Sequence, residues 1–332
     1  MINFFRSIIL FTLLLSSGVA YSYEADFGFQ FKQLPKKSSG ELRVIWWNIL
    51  QGGKLGESIE QKEGHNPLLV NLESLTTIKE KPDFLILGEY LPDEVKPEID
   101  HLLRSRFRNV IYIPNSDLYP KQGILILTDL NMKIFTHPVG WGNQEYRDRW
   151  SKSYPASITY FDRTFIAIQY QWKGETRYLL PFHSLQPWMA LKATYPERFS
   201  KLYTAIEILT CTTNPLFHQL QKYLSIMKTI CNPSKNKVLM IGDLNTPDDI
   251  LGFKPIGYQL LTSRLNDTFK RGAEYTFPAP SSVGTGLSPS TQKINQLRID
   301  HALTSGLVSS KDPIRIPLRG SDHFPISVTI TN

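Results

Sequence analysis

The nine residues from Lys237 to Asn245, KVLMIGDLN, constrain this chain more than any other stretch. The apolar run Val238 to Ile241 closes on Gly242, the pattern of a short buried strand. Asp243 and Asn245 then stand two residues apart. In extended backbone alternate side chains share a face, so the carboxylate and the carboxamide aim at one spot beyond the strand end. Gly242 lets the backbone pass close to whatever sits there. Thr246-Pro247 stops the strand, and Asp248 follows in a turn or helix start.

The same design, an apolar run ending in a polar residue, recurs along the chain. It appears at Trp47-Asn48, Gly88-Glu89, Phe182-His183, Ile299-Asp300 and Ser321-Asp322-His323. Singly, each has a plain structural explanation: a turn former, a helix-start acid, a satisfied core histidine, a surface carboxylate. Together, with no thiol or serine-elbow motif beside them, they point to metal-assisted attack of water on a phosphate ester. Oxygen ligands such as Glu89 and Asn48, with Asp322 nearby, suit Mg²⁺ or Mn²⁺. Asp243 suits orienting and deprotonating the water. Asn245 and His183 suit stabilising charge on the phosphoryl oxygens. His323 backed by a carboxylate is an acid/base or electrostatic pair.

The N-terminus reads as a separate segment. Arg6, an apolar run from Ile8 to Leu15 and a small-residue exit through Ala20 have the layout of a secretory signal peptide, with cleavage expected after Ala20 or Ser22. The run is too short for a span of about 20 residues. Residues 1–22 are therefore expected to be removed, 23–40 to be an N-terminal extension and 41–332 to form one domain, secreted or periplasmic. Net charge is +7, which suits a polyanionic substrate, although no Lys/Arg run marks a nucleic-acid tail. Export makes a Cys211–Cys231 disulfide the expected state of the two cysteines. No coiled-coil pattern or long exposed apolar face is visible, so a monomer is expected.

Strands are expected at 42–48, 84–88, 109–113, 123–128, 133–137, 156–161, 164–171, 177–182, 237–242, 268–269, 297–303 and 326–330. Helices are expected from Pro67 to about Glu80, from Pro92 to Arg104 with a bend at Pro97, and over 197–209 and 215–230. Strands with helices between only some of them imply an α/β layering of two sheets with helices outside. The tract Pro278–Ser290, rich in Ser, Pro and Gly, is long for a loop inside a domain.

The ordered set Trp47-Asn48, Gly88-Glu89, Phe182-His183-Ser184, Gly242-Asp243-Leu244-Asn245-Thr246-Pro247, Arg298-Ile299-Asp300-His301 and Ser321-Asp322-His323-Phe324-Pro325 resembles the endonuclease/exonuclease/phosphatase superfamily. Tyr275-Thr276-Phe277-Pro278 is similar to its approach to the penultimate strand. The resemblance spans residues 41 to 331. It implies a four-layer α/β sandwich, two central mixed, mainly antiparallel sheets flanked by helices, with the site at one edge. It also implies Glu89 and Asn48 as metal ligands with Asp322 beside them, His183 stabilising the transition state, Asp243 and Asn245 handling nucleophile and phosphate, and His323 paired with Asp300.

Leu50 stands where apurinic endonucleases have an acid, and Asn48-Ile49-Leu50-Gln51-Gly52 is closer to toxin nucleases and sphingomyelinases, making Gln51 a candidate substrate contact. The stretch Glu145 to Trp150 is similar to one in apurinic endonucleases but comes before the His183 strand rather than after it. Its Tyr146, Arg147 and Arg149 form a candidate basic-aromatic rim for substrate. The leading expectation is an exported Mg²⁺-dependent nuclease. The alternatives are a sphingomyelinase or phosphoinositide phosphatase, with Trp141, Trp150, Trp172 and Trp188 as candidate membrane-facing aromatics, and a non-catalytic binding protein on the same fold.

Overall fold

The computed structural model of the chain describes residues 34–50, 52–53, 60–61, 64–77, 81–116, 119–140, 148, 162–185, 210, 212, 214–250, 253–269, 275–277, 297–316, 318 and 320–331. Strands β1 (Leu42–Asn48), β2 (Phe84–Tyr90), β3 (Asn109–Ser116) and β4 (Tyr119–Thr128) join β11 (Ser309–Arg315) and β12 (Ile326–Thr331) from the far end of the chain. They form one sheet in the order β11-β12-β1-β2-β4-β3. Strands β5 (Met132–Pro138), β6 (Thr164–Trp172), β7 (Glu175–Pro181), β8 (Lys237–Asp243), β9 (Asn266–Asp267) and β10 (Asp300–Thr304) form the other. Its order is β5-β6-β7-β8-β10-β9.

Each sheet has one parallel pair near its middle, β1 with β2 and β7 with β8, and antiparallel neighbours elsewhere. An antiparallel neighbour starts where its partner ends. Asp300 therefore pairs with Asp243, and Ile326, three residues after His323, pairs with Trp46. The ends of β1, β2 and β8 and the starts of β10 and β12 are thereby brought to one edge.

The period-two rule divides each central strand between two cores. Val44 and Trp46 face the second sheet and pack with Phe84, Ile86, Leu239 and Ile241. Ile45 and Trp47 face the opposite way, with Leu85 and Leu87, onto the helices α1 (Pro67–Thr77) and α2 (Pro97–Arg106). On the second sheet Leu180, Val238 and Met240 pack under α3 (Pro215–Ile230), with Leu261 of α4 (Ile256–Thr262) in the same core. The result is helix, sheet, sheet, helix: the expected four layers. Each buried Leu or Ile contributes about 1.5–3 kcal/mol.

Two helices begin as the sequence predicts. The Asn66 side chain accepts from Leu68 and Leu69 N–H, and Asn214 accepts from Leu216 N–H, each followed by proline at the first helical position. The helix expected from Pro92 with a bend at Pro97 starts instead at Pro97, where the absent N–H breaks no helical bond. The strand expected at 268–269 lies at Asn266–Asp267, and the one expected from Leu297 begins at Asp300, Leu297 making only a bridge to Phe277. Helix α4 and strand β11 were not expected; β11 carries Pro313 and lies at a sheet edge, where a missing donor is tolerated.

Cys231 is a free buried thiol donating to the Met227 carbonyl, so the expected disulfide is not formed by it. Burial pushes this thiol up to about 12. Trp172 packs against the inter-sheet core rather than facing outward as a membrane contact. Cys211, Trp141, Trp150, Trp188, the segment 1–22, the strand expected at 156–161, the helix expected at 197–209 and the tract Pro278–Ser290 lie outside the described residues. No helix among the described residues is long and apolar enough to cross a membrane.

Gly242 shows how tightly β7, β8 and β10 are locked. A Cβ there would lie 1.8 Å from the Phe182 carbonyl oxygen. The bonds Phe182 N to Ile241 O (3.0 Å) and Ser184 N to Asp243 O (2.9 Å) flank that contact, and His301 pairs with Gly242 on the other side, so neither backbone can retreat. Gly242→Ala is expected to fold poorly or melt far below the parent. Gly174→Ala, in the β6–β7 turn with nothing within 4 Å of its Cβ, should cost only the left-handed strain of about 1–2 kcal/mol. Thermal denaturation of both checks this; a Gly242→Ala melt equal to the Gly174→Ala melt would contradict the packing.

Candidate active site

Asn48, the last residue of β1, joins the two sheets. Its Nδ2 donates to Glu89 Oε1 at 3.3 Å and to Asp243 Oδ2 at 3.2 Å, while its Oδ1 accepts from Leu50 N–H at 3.1 Å. Glu89 is reached by a break in the β2–β4 pairing between Leu87 and Tyr90, and has a left-handed φ of 53°. Asn245 also has a left-handed φ, 45°, fixed by its N–H donating to Asp243 Oδ1 (2.9 Å) and its Nδ2 donating to the Ser184 carbonyl (3.1 Å).

The second half of the site is a chain of three side chains. Trp46 Nε1 donates to Asp300 Oδ1 at 2.9 Å, and Asp300 Oδ2 lies 2.8 Å from His323 Nδ1. This orients His323 with Nε2 toward Asp243 Oδ2, 3.7 Å away. Thr276 Oγ1 accepts from the Asp300 N–H, and Trp47 Nε1 donates to the His323 carbonyl. The Ser321 hydroxyl donates to the Asn48 carbonyl and accepts from His323 N–H, tying the segment before β12 to the end of β1.

His183 enters from the end of β7. Its Nε2 lies 3.5 Å from Glu89 Oε1 and 3.6 Å from Asp243 Oδ2, and neither ring nitrogen has a hydrogen-bond partner among the described residues. The backbone behind it is fixed. Arg163 Nε donates to the His183 carbonyl at 2.7 Å, and the fully buried Gln219 accepts from Leu185 N–H and donates to the Gly140 carbonyl.

The two histidines are driven apart electrically. Burial, then Arg163 and His323, hold the His183 imidazole well below the ordinary histidine range, so it is neutral at pH 7. Burial would also lower His323, but Asp300, Asp322 and Asp243 together hold it well above that range. Burial, with Asp300 and Glu89 adding repulsion, pushes the Asp243 carboxyl up to about 8 against the pull of His323. Burial raises Asp322 as well.

This donor set fits a hard divalent cation. Glu89, Asp243, Asp300 and Asp322 are all buried at one sheet edge, an arrangement costly without positive charge. The ligand atoms of Asp243, Asp300 and His323 lie within 4.8 Å of one another, but that trio is committed: Asp300 to Trp46 and His323. Glu89 is the better anchor. Asn48 turns its amide hydrogens, not Oδ1, toward Glu89, so it would ligate through Oδ1 only by rotating its amide.

The structure thus brings together Asn48, Glu89, His183, Asp243, Asn245, Asp300 and His323. Asp322 bonds to Ser321 and has His323 and Asp300 as its charged neighbours. Gln51, Tyr146, Arg147 and Arg149 lie outside the described residues. Sequence reasoning missed Trp46, Arg163, Gln219 and Ser321 as supports. Trp46 and Ser321 adjoin motif residues and could have been suspected, whereas Arg163 and Gln219 carry no local signal.

The sequence matches no family model and no curated protein. The structure does match solved ones. An endonuclease/exonuclease/phosphatase family protein from Leptotrichia buccalis has a TM-score of 0.56 at 15% identity, over 88% of this chain and all (100%) of its own. Another from Bacteroides vulgatus has a TM-score of 0.53 at 15% identity, over 87% and 98%. ANGEL2, a 2′,3′-cyclic phosphatase solved with adenosine-2′,3′-vanadate, has a TM-score of 0.51 at 11% identity, over 87% and 95%. The chain has the endonuclease/exonuclease/phosphatase fold.

The raised Asp243 carboxyl has a consequence for stability. A folded-state value of about 8, against 3.8 for the ordinary group, means that the folded protein holds this proton more tightly than the unfolded chain. Its contribution is fully present below about 4 and is lost as pH rises through about 8. Asp243→Asn removes the titration. The amide sets its NH₂ against a donor, Asn48 Nδ2 or Asn245 N–H, at every pH, so the readout is the pH dependence: in chelator the parent is expected to lose stability relative to the variant by more than about 1 kcal/mol between pH 5 and pH 8. Denaturant melts at both pH values check this; a parent–variant difference that stays the same from pH 5 to pH 8 would contradict it.

Proposed function

We propose that this protein is a divalent-metal-dependent phosphoesterase, and within that class an exported nuclease acting on DNA or RNA. The observation that carries the reading is the convergence of Glu89 and Asp243 on the neutral ring of His183, which has no hydrogen-bond partner among the described residues, with the Asp300–His323 pair set against the same Asp243 carboxylate.

Glu89 and Asn48 would hold the Mg²⁺ or Mn²⁺ ion. Bound there, it would supply Lewis-acid polarisation of a phosphoryl oxygen. Asp243 Oδ2 would accept the proton of the attacking water, a task that needs the carboxylate ionised, the form that a cation bound beside it and the neighbouring His323 favour. Neutral His183 offers Nε2–H, and Asn245 its carboxamide, to the phosphoryl oxygens as negative charge grows. His323, kept charged and held in orientation by Asp300, would stabilise the leaving oxygen with its Nε2–H, which points into the site beside Asp243. His183 and His323 are thus assigned different work by environment alone.

The net charge of +7 and the basic-aromatic segment at Tyr146, Arg147 and Arg149 support a polyanionic substrate. The structural likeness to ANGEL2, whose ligand is a nucleotide derivative, supports a nucleotide-containing ester. The signal-peptide pattern of residues 1–22 supports export.

Purified protein is expected to nick supercoiled plasmid with Mg²⁺ or Mn²⁺ and to stop in chelator. His183→Ala should lower the rate about 10²–10³-fold, the usual cost of one transition-state donor. Failure to cleave plasmid, RNA or single strands with either ion would overturn the nuclease assignment. Sequencing the N-terminus of protein recovered outside the cytoplasm should find Tyr21 or Tyr23 first; an intact Met1 would overturn the export reading.

A further inference from the structure

Glu89 is one of three residues at the site with left-handed backbone, and Gln122, itself bonded to Asn115, donates to its carboxylate. Its φ of 53° is left-handed, a conformation that costs a non-glycine residue about 1–2 kcal/mol and persists only when the surroundings impose it. The break in the β2–β4 register falls at Glu89, so the ladder does not set where its carboxylate points.

The groups that reach its carboxylate come from the irregular end of the β3–β4 pairing, where the register shifts between Pro114 and Ser116. Asn115 Nδ2 donates to Gln122 Oε1 at 3.0 Å, and Gln122 Nε2 donates to Glu89 Oε2 at 3.4 Å. Asn115, Gln122 and Glu89 are 4%, 1% and 5% exposed, so none of the relay is open to a bulky substrate. The order is polar in one sense only. Asn115 turns the oxygen of Gln122 toward itself and thereby its NH₂ toward Glu89; the reversed amide would set oxygen against a carboxylate. The Asn115 carbonyl accepts from Thr164 Oγ1, which anchors the relay to the second sheet.

We propose that Gln122, oriented by Asn115, is a positioning residue that aims the Glu89 carboxylate at the divalent cation. Gln122 holds Oε2 from behind, and Asn48 and His183 lie on the Oε1 side. A neutral amide does this without adding charge to a pocket already crowded with carboxylates, so it fixes direction while leaving the negative charge of Glu89 for the ion. Residues that orient a ligand through such a bond commonly change metal affinity about 10–100-fold when replaced. The proposal rests on Glu89 being a metal ligand, as argued above.

The test is calorimetric titration of MgCl₂ into the full mature protein and into Gln122→Met, which keeps the volume and removes the amide. The expected result is a dissociation constant raised about tenfold in a variant that melts cooperatively. Tight binding by the parent with unchanged affinity in folded Gln122→Met would overturn this inference and leave the metal site standing. A parent that binds neither Mg²⁺ nor Mn²⁺ would overturn the metal site and the inference with it. Should Gln122→Met not fold, Asn115→Ala frees the Gln122 amide to turn. It is expected to weaken binding several-fold, and unchanged affinity there would equally overturn the proposal.

Discussion

Carboxylates buried where two sheet edges meet govern the rest of this structure. Glu89 comes from one sheet, Asp243 and Asp300 from the other, and Asp322 from the segment leading into β12. Removing such charges from water costs several kcal/mol each unless partners compensate. The Asn48 carboxamide lies between Glu89 and Asp243, His323 takes Asp300, and the Trp46 indole crosses from the first sheet to Asp300 in the second. Each partner is a residue of a strand or lies beside a strand end. The sheets must therefore be registered against one another for the charges to be tolerated at all.

Three of the four left-handed non-glycine residues among the described residues lie at the same place; the fourth, Lys173, is in the β6–β7 turn. Leu50, Glu89 and Asn245 have left-handed φ values of 48°, 53° and 45°. Such residues are held by over-determined surroundings, and here the bonds are visible: Asn48 Oδ1 on Leu50, the two amide contacts on Glu89, and Asp243 and Ser184 on Asn245. The deep apolar layers beneath, with Trp46 and Trp47 fully buried on opposite faces of β1, provide the stability that lets the edge hold this strain.

The sequence displayed the ends of the strands better than their neighbours. A short apolar run closing on Asn48, Glu89, Asp243 or Asp300 is a local pattern, and a local pattern was enough to nominate the site residues. Asn66-Pro67 likewise announced its helix through capping chemistry. What could not be read was whatever depends on register between distant strands. Gln122 precedes Gly123 in an ordinary strand, and nothing local says that a bulge at Glu89, 33 residues away, brings the two side chains together. Arg163 and Gln219 act on backbone carbonyls and amides that only the folded chain presents. Strand β11 escaped because its Ser, Lys, Asp and Pro residues fit an edge strand, whose pairing on a single side leaves a weak apolar signature.

The central proposal is that a divalent cation is held on this edge at Glu89. The most direct measurement is a crystal structure of the protein soaked in Mn²⁺, with the ion located by its anomalous scattering. The account predicts one strong peak at the Glu89 carboxylate, with the Asp300–His323 bond intact. A peak seated between Asp300 and His323, or no peak at the strand ends at millimolar Mn²⁺, would contradict it.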